Sequence, residues 1–205
     1  MPSRAYRDFL QRDRDVDQLL RAHESVVRSS HVNAAAAGGT GLAQLAQVAL
    51  ALVRPAGPGR PAEVDAINRA AIVLLTAHLE GFLEDLHGEA ASILLMNRVR
   101  NLDTLIDEAH DRFRNPTIDA ITKLFNTLGM PDFLDGMSWQ RSKNEAVKRR
   151  LTELVKLRND IAHGEEARVT KRRVVAARRF VGILAQKLDE KVGTEIRQVT
   201  QVAPW

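Results

Sequence analysis

Residues 63–97 hold the longest helical pattern in the chain, and they constrain it most. Ile67, Ala71, Leu75, Phe82 and Leu86 fall on one stripe of a helical wheel. Ile72, Leu79, Leu83, Ala90 and Leu94 fall on a neighbouring stripe. A helix with one apolar stripe can lie on a surface. A helix with two adjacent stripes has to be covered from several directions, so this segment is expected at the centre of a bundle.

The rest of the chain supplies helices to cover it. Apolar side chains at Phe9, Leu10, Val16, Leu19, Leu20, Val26 and Val27 give residues 4–28 a helical period. Leu42, Leu45, Ala49 and Leu52 predict a helix over Leu42–Val53, and Pro55, Pro58 and Pro61 mark a linker after it. Shorter helices are expected near 102–113 and after Asn115 and Pro116, the second stopped by Gly129 and Pro131. The "SKNE" of Ser142–Glu145 reads as a capping box opening a helix to His163, with Gly164 ending it. A last helix is expected over about 166–190. Aromatic residues make up only 4% of the chain, and strand-type alternation is scarce. The expectation is an all-α helical bundle over residues 63–205, with an N-terminal helical extension and Pro/Gly linker over residues 1–62. That extension reads as a peripheral hairpin.

Composition narrows the function classes. With no cysteine, disulfide frameworks, thiolate metal sites and cysteine nucleophiles are excluded. The charge-dense first thirty residues do not resemble a signal peptide. The uncharged run from His31 to Val53 is too small-residue-rich for a membrane span, so no membrane contact and a cytoplasmic location are expected. Residues 141–180 carry thirteen Lys or Arg against five Asp or Glu, a surplus of eight in a chain whose total is +4. The remainder therefore carries −4. A basic half suits a polyanionic partner, although a solvated helix face would look the same.

One residue stands out against this background. On the wheel of 142–163, Val147, Leu151, Leu154, Val155, Ile161 and Ala162 form an apolar stripe, and Arg158 falls in the middle of it. A permanent charge there needs a carboxylate or another anion. His163 lies about 140° round the helix from Arg158, on the flank of Asn159. Two explanations are open on geometry alone. Arg158 could form a structural ion pair with Glu80 or Glu84, and His163 could simply end a helix with a favourable dipole contact. Alternatively, both could face a cleft, completed by a second chain.

The segment "LVKLRNDIAHG", residues 154–164, resembles the hallmark of HEPN domains: an arginine, a polar residue directly after it, a few intervening residues and a histidine. "VLLTAHLEGFLEDL", residues 73–86, is similar to an early helix of the RiboL-PSP-HEPN branch. The resemblance spans roughly residues 63–190. It implies a metal-independent endoribonuclease, working as a homodimer whose motif helices meet across a two-fold axis, in a toxin–antitoxin or antiviral defence setting. His163 would then be the general acid or base, Arg158 would hold the scissile phosphate, and Asn159 would orient one of them. Glu80 is the expected supporting residue. Lys148, Arg149, Lys156, Lys171 and Arg172 are expected to bind RNA, as are Arg150, Arg168 and Arg173 around them. Stacking aromatics are limited to Trp139 and Phe180. An antitoxin or defence-system protein is the expected further partner. The alternative is a non-catalytic HEPN module that binds RNA, nucleotide or protein.

No cofactor and no metal are expected. His78, Glu80, Glu84 and His87 make only a loose acid–histidine cluster, with His78 partly buried and His87 at the surface. "GGTG" lacks the lysine of a phosphate-binding loop.

Overall fold

The computed structural model describes residues 1–37, 62–96, 98–139, 142–165 and 167–205. Its helices are α1 (Arg4–Ala37), α2 (Ala62–Leu95), α3 (Leu102–Arg112), α4 (Ile118–Asn126), α5 (Asn144–Ala162) and α6 (Lys171–Thr200). Among the described residues there is no strand, only a single bridge between Trp139 and Ser142. The chain is all-α. The expected helix over 42–53 and the proline linker lie outside the described residues.

The two stripes of α2 become the core. Ala71, Ile72, Leu75, Leu79, Phe82, Leu83, Leu86 and Ala90 are all within 1% of full burial. By length and composition α2 could cross a membrane, but here α1, α5 and α6 pack around it.

The first helix is not peripheral. It places Ala5, Phe9 and Val16 in the same core as α2, with the Phe9 ring 5.4 Å from Phe82 and Tyr6 6.2 Å from Phe82. Its N-terminus is anchored from both sides. The Ser3 hydroxyl accepts from the Tyr6 amide, the Ser3 amide donates to Asp189 of α6, and the amides of Arg4 and Ala5 donate to Glu89 of α2. Carboxylates at a helix N-terminus satisfy free amides and oppose the positive end of the dipole. Further along, Arg178 of α6 forks between Asp13 and Asp17 of α1.

Other boundaries differ from the sequence pattern. The "SKNE" capping box does not form. The Ser142 amide and carbonyl pair with Trp139, Lys143 occupies the N-cap, and the Asn144 side chain donates from Nδ2 to the carbonyls of Leu134 and Met137. Local backbone pairing thus holds Ser142 away from the cap. The last helix starts later, at Lys171, because the Thr170 hydroxyl accepts from the Arg173 amide. It runs on to Thr200 because Val192 and Ile196 extend the buried stripe of Leu188.

His87 is buried at 2% exposure rather than at the surface, because α3 and the end of α4 cover it. Its protonation follows from its partners. Thr127 Oγ1 donates to the Leu124 carbonyl at 2.6 Å, so it accepts from His87 Nε2–H at 2.8 Å. His87 Nδ1 is then the acceptor for His110 Nε2–H, 3.1 Å away. Burial, reinforced by His110, lowers the His87 pKa to about 4. Unfolded, the same ring titrates near 6.5 and takes up a proton that the folded protein refuses, so stability present above pH 6.5 is lost as the pH falls toward 4. The carboxyls of Glu80, Glu84, Glu89 and Asp189 are raised by burial and work in the opposite sense. The readout is therefore a difference. Between pH 7 and 4.5, urea denaturation of wild type should lose about 2 kcal/mol more than His87→Gln loses. Equal pH slopes for the two proteins would contradict the assigned tautomer and burial.

Candidate active site

The candidate site lies on the last two turns of α5. Val147, Leu151, Leu154, Val155 and Leu157 are buried and fix the helix against the core. The C-terminus is closed by a Schellman turn: the Glu165 amide donates to the Asp160 carbonyl and the Gly164 amide to Ile161. Gly164 has φ +77, in the left-handed region that the turn requires. This turn fixes where His163 stands. His163 is the C-cap residue, with its amide donating to the Asn159 carbonyl at 2.9 Å and its side chain exposed.

Arg158 is half-buried and turned toward α2. The ion pair considered from the sequence is not made. Among the described residues no carboxylate comes within 4.0 Å of its guanidinium, and its one hydrogen bond is to Asn159 Oδ1 at 3.1 Å. Glu80 is close enough for its carboxyl to feel the arginine: burial raises it, and the Arg158 charge opposes that rise. Arg158 thus keeps donors available beside a half-buried carboxyl that does not neutralise it directly.

A residue that the sequence reading did not single out joins them. Asn115, in the turn between α3 and α4, donates from Nδ2 to Asn159 Oδ1 at 3.1 Å. Asn159 Oδ1 therefore accepts from both Arg158 and Asn115, and its own Nδ2 meets no acceptor among the described residues. Asn115 Oδ1 is buried without a partner. The only sequence signal at this position was the Asn–Pro helix start.

Several of the expected RNA-binding cations meet carboxylates. Lys148 pairs with Asp135, Arg149 with Glu153 at 3.9 Å, Lys156 with Asp160 at 3.1 Å and Lys171 with Glu24. Asp160 is half-buried under that lysine. Arg172 is exposed and, among the described residues, unpaired. With Lys171, Arg150 and Arg173 it lines a groove of about 1010 Å³ between α5 and α6. Trp139 and Phe180 line the same groove, with ring centres 6.0 Å apart. Arg158 and His163 do not line it.

The loose cluster on α2 disperses. His78 approaches Asp15 at 3.8 Å, and His87 turns to His110 and Thr127. Among the described residues no three His, Asp or Glu side chains converge as a metal ion would need.

A family model described as RiboL-PSP-HEPN matches residues 44–194, about three-quarters of the chain. The chain belongs to the RiboL-PSP-HEPN family. The match takes in α2 to α5 and most of α6, including Arg158, Asn159 and His163. It begins at residue 44, upstream of the Pro-rich linker. No curated protein and no solved structure matches the chain.

Proposed function

We propose that this HEPN protein is a metal-independent endoribonuclease whose chemistry is carried by Arg158 and His163. The observation that carries the reading is the state of Arg158. It is a half-buried guanidinium with no ion-pair partner among the described residues, held by a side-chain amide rather than neutralised by a carboxylate. A structural arginine at such a depth is normally paired. One bound to an amide is available for a phosphate, whose oxygens its planar fork fits.

In this reading His163 removes the proton from the ribose 2′-hydroxyl or protonates the departing 5′-oxygen, tasks suited to an imidazole near neutral pH. The 2′-oxygen attacks the phosphorus and the bond to the 5′-oxygen breaks, leaving a 2′,3′-cyclic phosphate and a 5′-hydroxyl. Arg158 stabilises the negative charge growing on the phosphate oxygens. Asn159 ties Arg158 to the His163 flank. The offset of His163 from Arg158 suits a cleft shared by two copies, with α5 of each at the two-fold axis. Membership of the HEPN family supports an RNA-related module. The toxin or defence role, and an antitoxin as partner, are parts of the proposal.

Growth of a bacterial host provides the test. Induced expression of the wild type arrests growth and fragments cellular RNA, whereas His163→Ala and Arg158→Ala, expressed as soluble folded protein, do neither. If the variants arrest growth as the wild type does, catalysis by this pair is wrong. If none of the three proteins affects growth or cleaves RNA, the chain is a non-catalytic HEPN binding module.

Asn115 acts in this scheme as a positioning residue. Asn115→Ala removes one neutral hydrogen bond to Asn159, so kcat should fall about fivefold to tenfold with KM little changed. The same substitution deletes a buried oxygen that lacks a partner, so the thermal midpoint should hardly move. A midpoint loss without a kcat effect would give Asn115 a purely structural role.

A further inference from the structure

Four arginines gather along the groove of about 1010 Å³ between α5 and α6. Arg150 belongs to α5 and Arg172, Arg173 and Arg179 to α6, and all four are exposed. Among the described residues none of them forms an ion pair. Glu153 is the one carboxylate lining the groove, and it leans to Arg149 at 3.9 Å. The contrast on α6 itself is informative. Arg178 faces α1 and is held by Asp13 and Asp17, whereas its neighbour Arg179 turns to the groove and is not neutralised. Like charges lined along one groove draw a polyanion.

An aromatic ring stands among these charges. Trp139 lines the groove and is only half-buried. Its amide donates to the Ser142 carbonyl at 3.2 Å and its carbonyl accepts from the Ser142 amide at 2.9 Å. This is the pairing that displaces the capping box, so the helix start gives up a cap where the indole is fixed. Phe180 backs the indole, with ring centres 6.0 Å apart, and is itself buried. Leu154 and Leu157 beneath are also spent on the core. A ligand therefore meets the indole, the guanidinium groups and a short aliphatic edge at Val175, Ala176 and Ile183. An acidic amphipathic helix would seat its ridge on the floor, where the buried leucines offer it little surface. A nucleic-acid duplex presents phosphates but keeps its base faces stacked inside. A single strand offers both partners: phosphates that the arginine forks fit, and an unstacked base for Trp139.

We propose that the α5–α6 groove is an accessory site for single-stranded RNA, with one base stacked on Trp139 and backbone phosphates on Arg150, Arg172 and Arg179. Arg172 and Arg179 lie two turns apart on one face of α6, about 10 Å along the helix, so they meet different phosphates. The choice of RNA rests on the ribonuclease reading, but the site uses none of its residues. Leu154 and Leu157 face the groove, whereas Asn159 turns to Asn115 between α3 and α4. The groove holds a stretch of the strand that is not being cut. It adds affinity without touching the scissile phosphate, so its loss falls on KM and leaves kcat.

Binding can be read without cleavage in the full chain carrying His163→Ala. The probe is a fluorescein-labelled single-stranded RNA of about twelve nucleotides, followed by anisotropy. Adding Trp139→Ala should weaken binding about tenfold. Adding Arg172→Gln with Arg179→Gln should weaken it too, and should flatten the slope of log affinity against log salt by about 1.4, the share of two phosphates. Both arginines are exposed, so this arm stands even where Trp139→Ala lowers the thermal midpoint. The chain has two tryptophans, Trp139 and Trp205. Unlabelled RNA should quench the indole emission of the parent, and Trp139→Phe should abolish that quenching. Duplex RNA of the same sequence should bind more weakly and be indifferent to Trp139→Ala. The site is overturned if the parent binds no RNA, or if the arginine and tryptophan variants bind as the parent does with the same salt slope. It is equally overturned if an acidic amphipathic peptide quenches Trp139 and RNA does not, which would assign the groove to a protein. Cleavage separates the two readings. Groove-dependent binding by a chain that cuts nothing with His163 intact keeps the site and removes the nuclease. Cleavage whose KM ignores Trp139→Ala and the arginine pair keeps the nuclease and removes the site.

Discussion

Replacing His163 with alanine should leave the protein folded and, under the proposed function, should lower RNA cleavage about a hundredfold to ten-thousandfold, the contribution expected of a positioned general acid or base. The fold survives because the side chain is exposed and the C-terminus of α5 is closed by backbone bonds through Gly164 and Glu165. Arg158→Ala should cost a comparable factor, about a hundredfold to a thousandfold, because in the proposed chemistry it removes the charge opposite the developing phosphate dianion. Arg158→Lys is a sharper probe. It keeps the charge but not the planar fork, so it should stay well below wild type. Gel-resolved single-turnover cleavage, alongside circular dichroism and thermal midpoints, separates these effects. Combining His163→Ala and Arg158→Ala should cost little more than the worse single change, because groups serving one step are not additive. Full activity in either alanine variant removes that residue from the mechanism.

The second large effect is on stability. Phe82 is fully buried and meets both Phe9 and Tyr6 of α1. Phe82→Ala should cost about 3–5 kcal/mol in chemical denaturation, because it leaves a cavity where α1 seats on α2. Phe9→Ala opens the same region from the other side, so the double variant should lose less than the two single losses added together. The consequence for architecture is direct. If α1 were an appendage, either change would leave the main unfolding transition where it was, and only α1 would loosen. With Phe9 and Phe82 in one core, the single cooperative transition should shift as a whole.

The bundle was legible because its strongest signal is local and periodic. The stripes of α2 identify a central helix from sequence alone, and every one of their members from Ala71 to Leu94 is buried. Features that depend on partners distant in the chain were not legible. Phe9 meets Phe82 across seventy-odd residues, so α1 read as a peripheral helix. His87 read as surface because nothing local announces that Thr127 and His110 will close over it. The capping box failed for a different reason: its residues are right, but Ser142 is taken by Trp139. In the candidate site, the oddity of Arg158 could be seen on a wheel. Its actual partner could not, because Asn159 is held by Asn115 from 44 residues away. The cations expected to track RNA were chosen by charge alone, and ion pairs with Asp135, Glu153, Asp160 and Glu24 are invisible to that criterion.

The chemistry assigned to Arg158 and His163 leaves a signature on its products. Purified protein incubated with a defined RNA in excess EDTA should release fragments ending in 2′,3′-cyclic phosphate, with 5′-hydroxyls on the downstream pieces, as read by mass spectrometry. Fragments bearing 5′-phosphates, or cleavage that stops in EDTA and returns with a divalent cation, would contradict it.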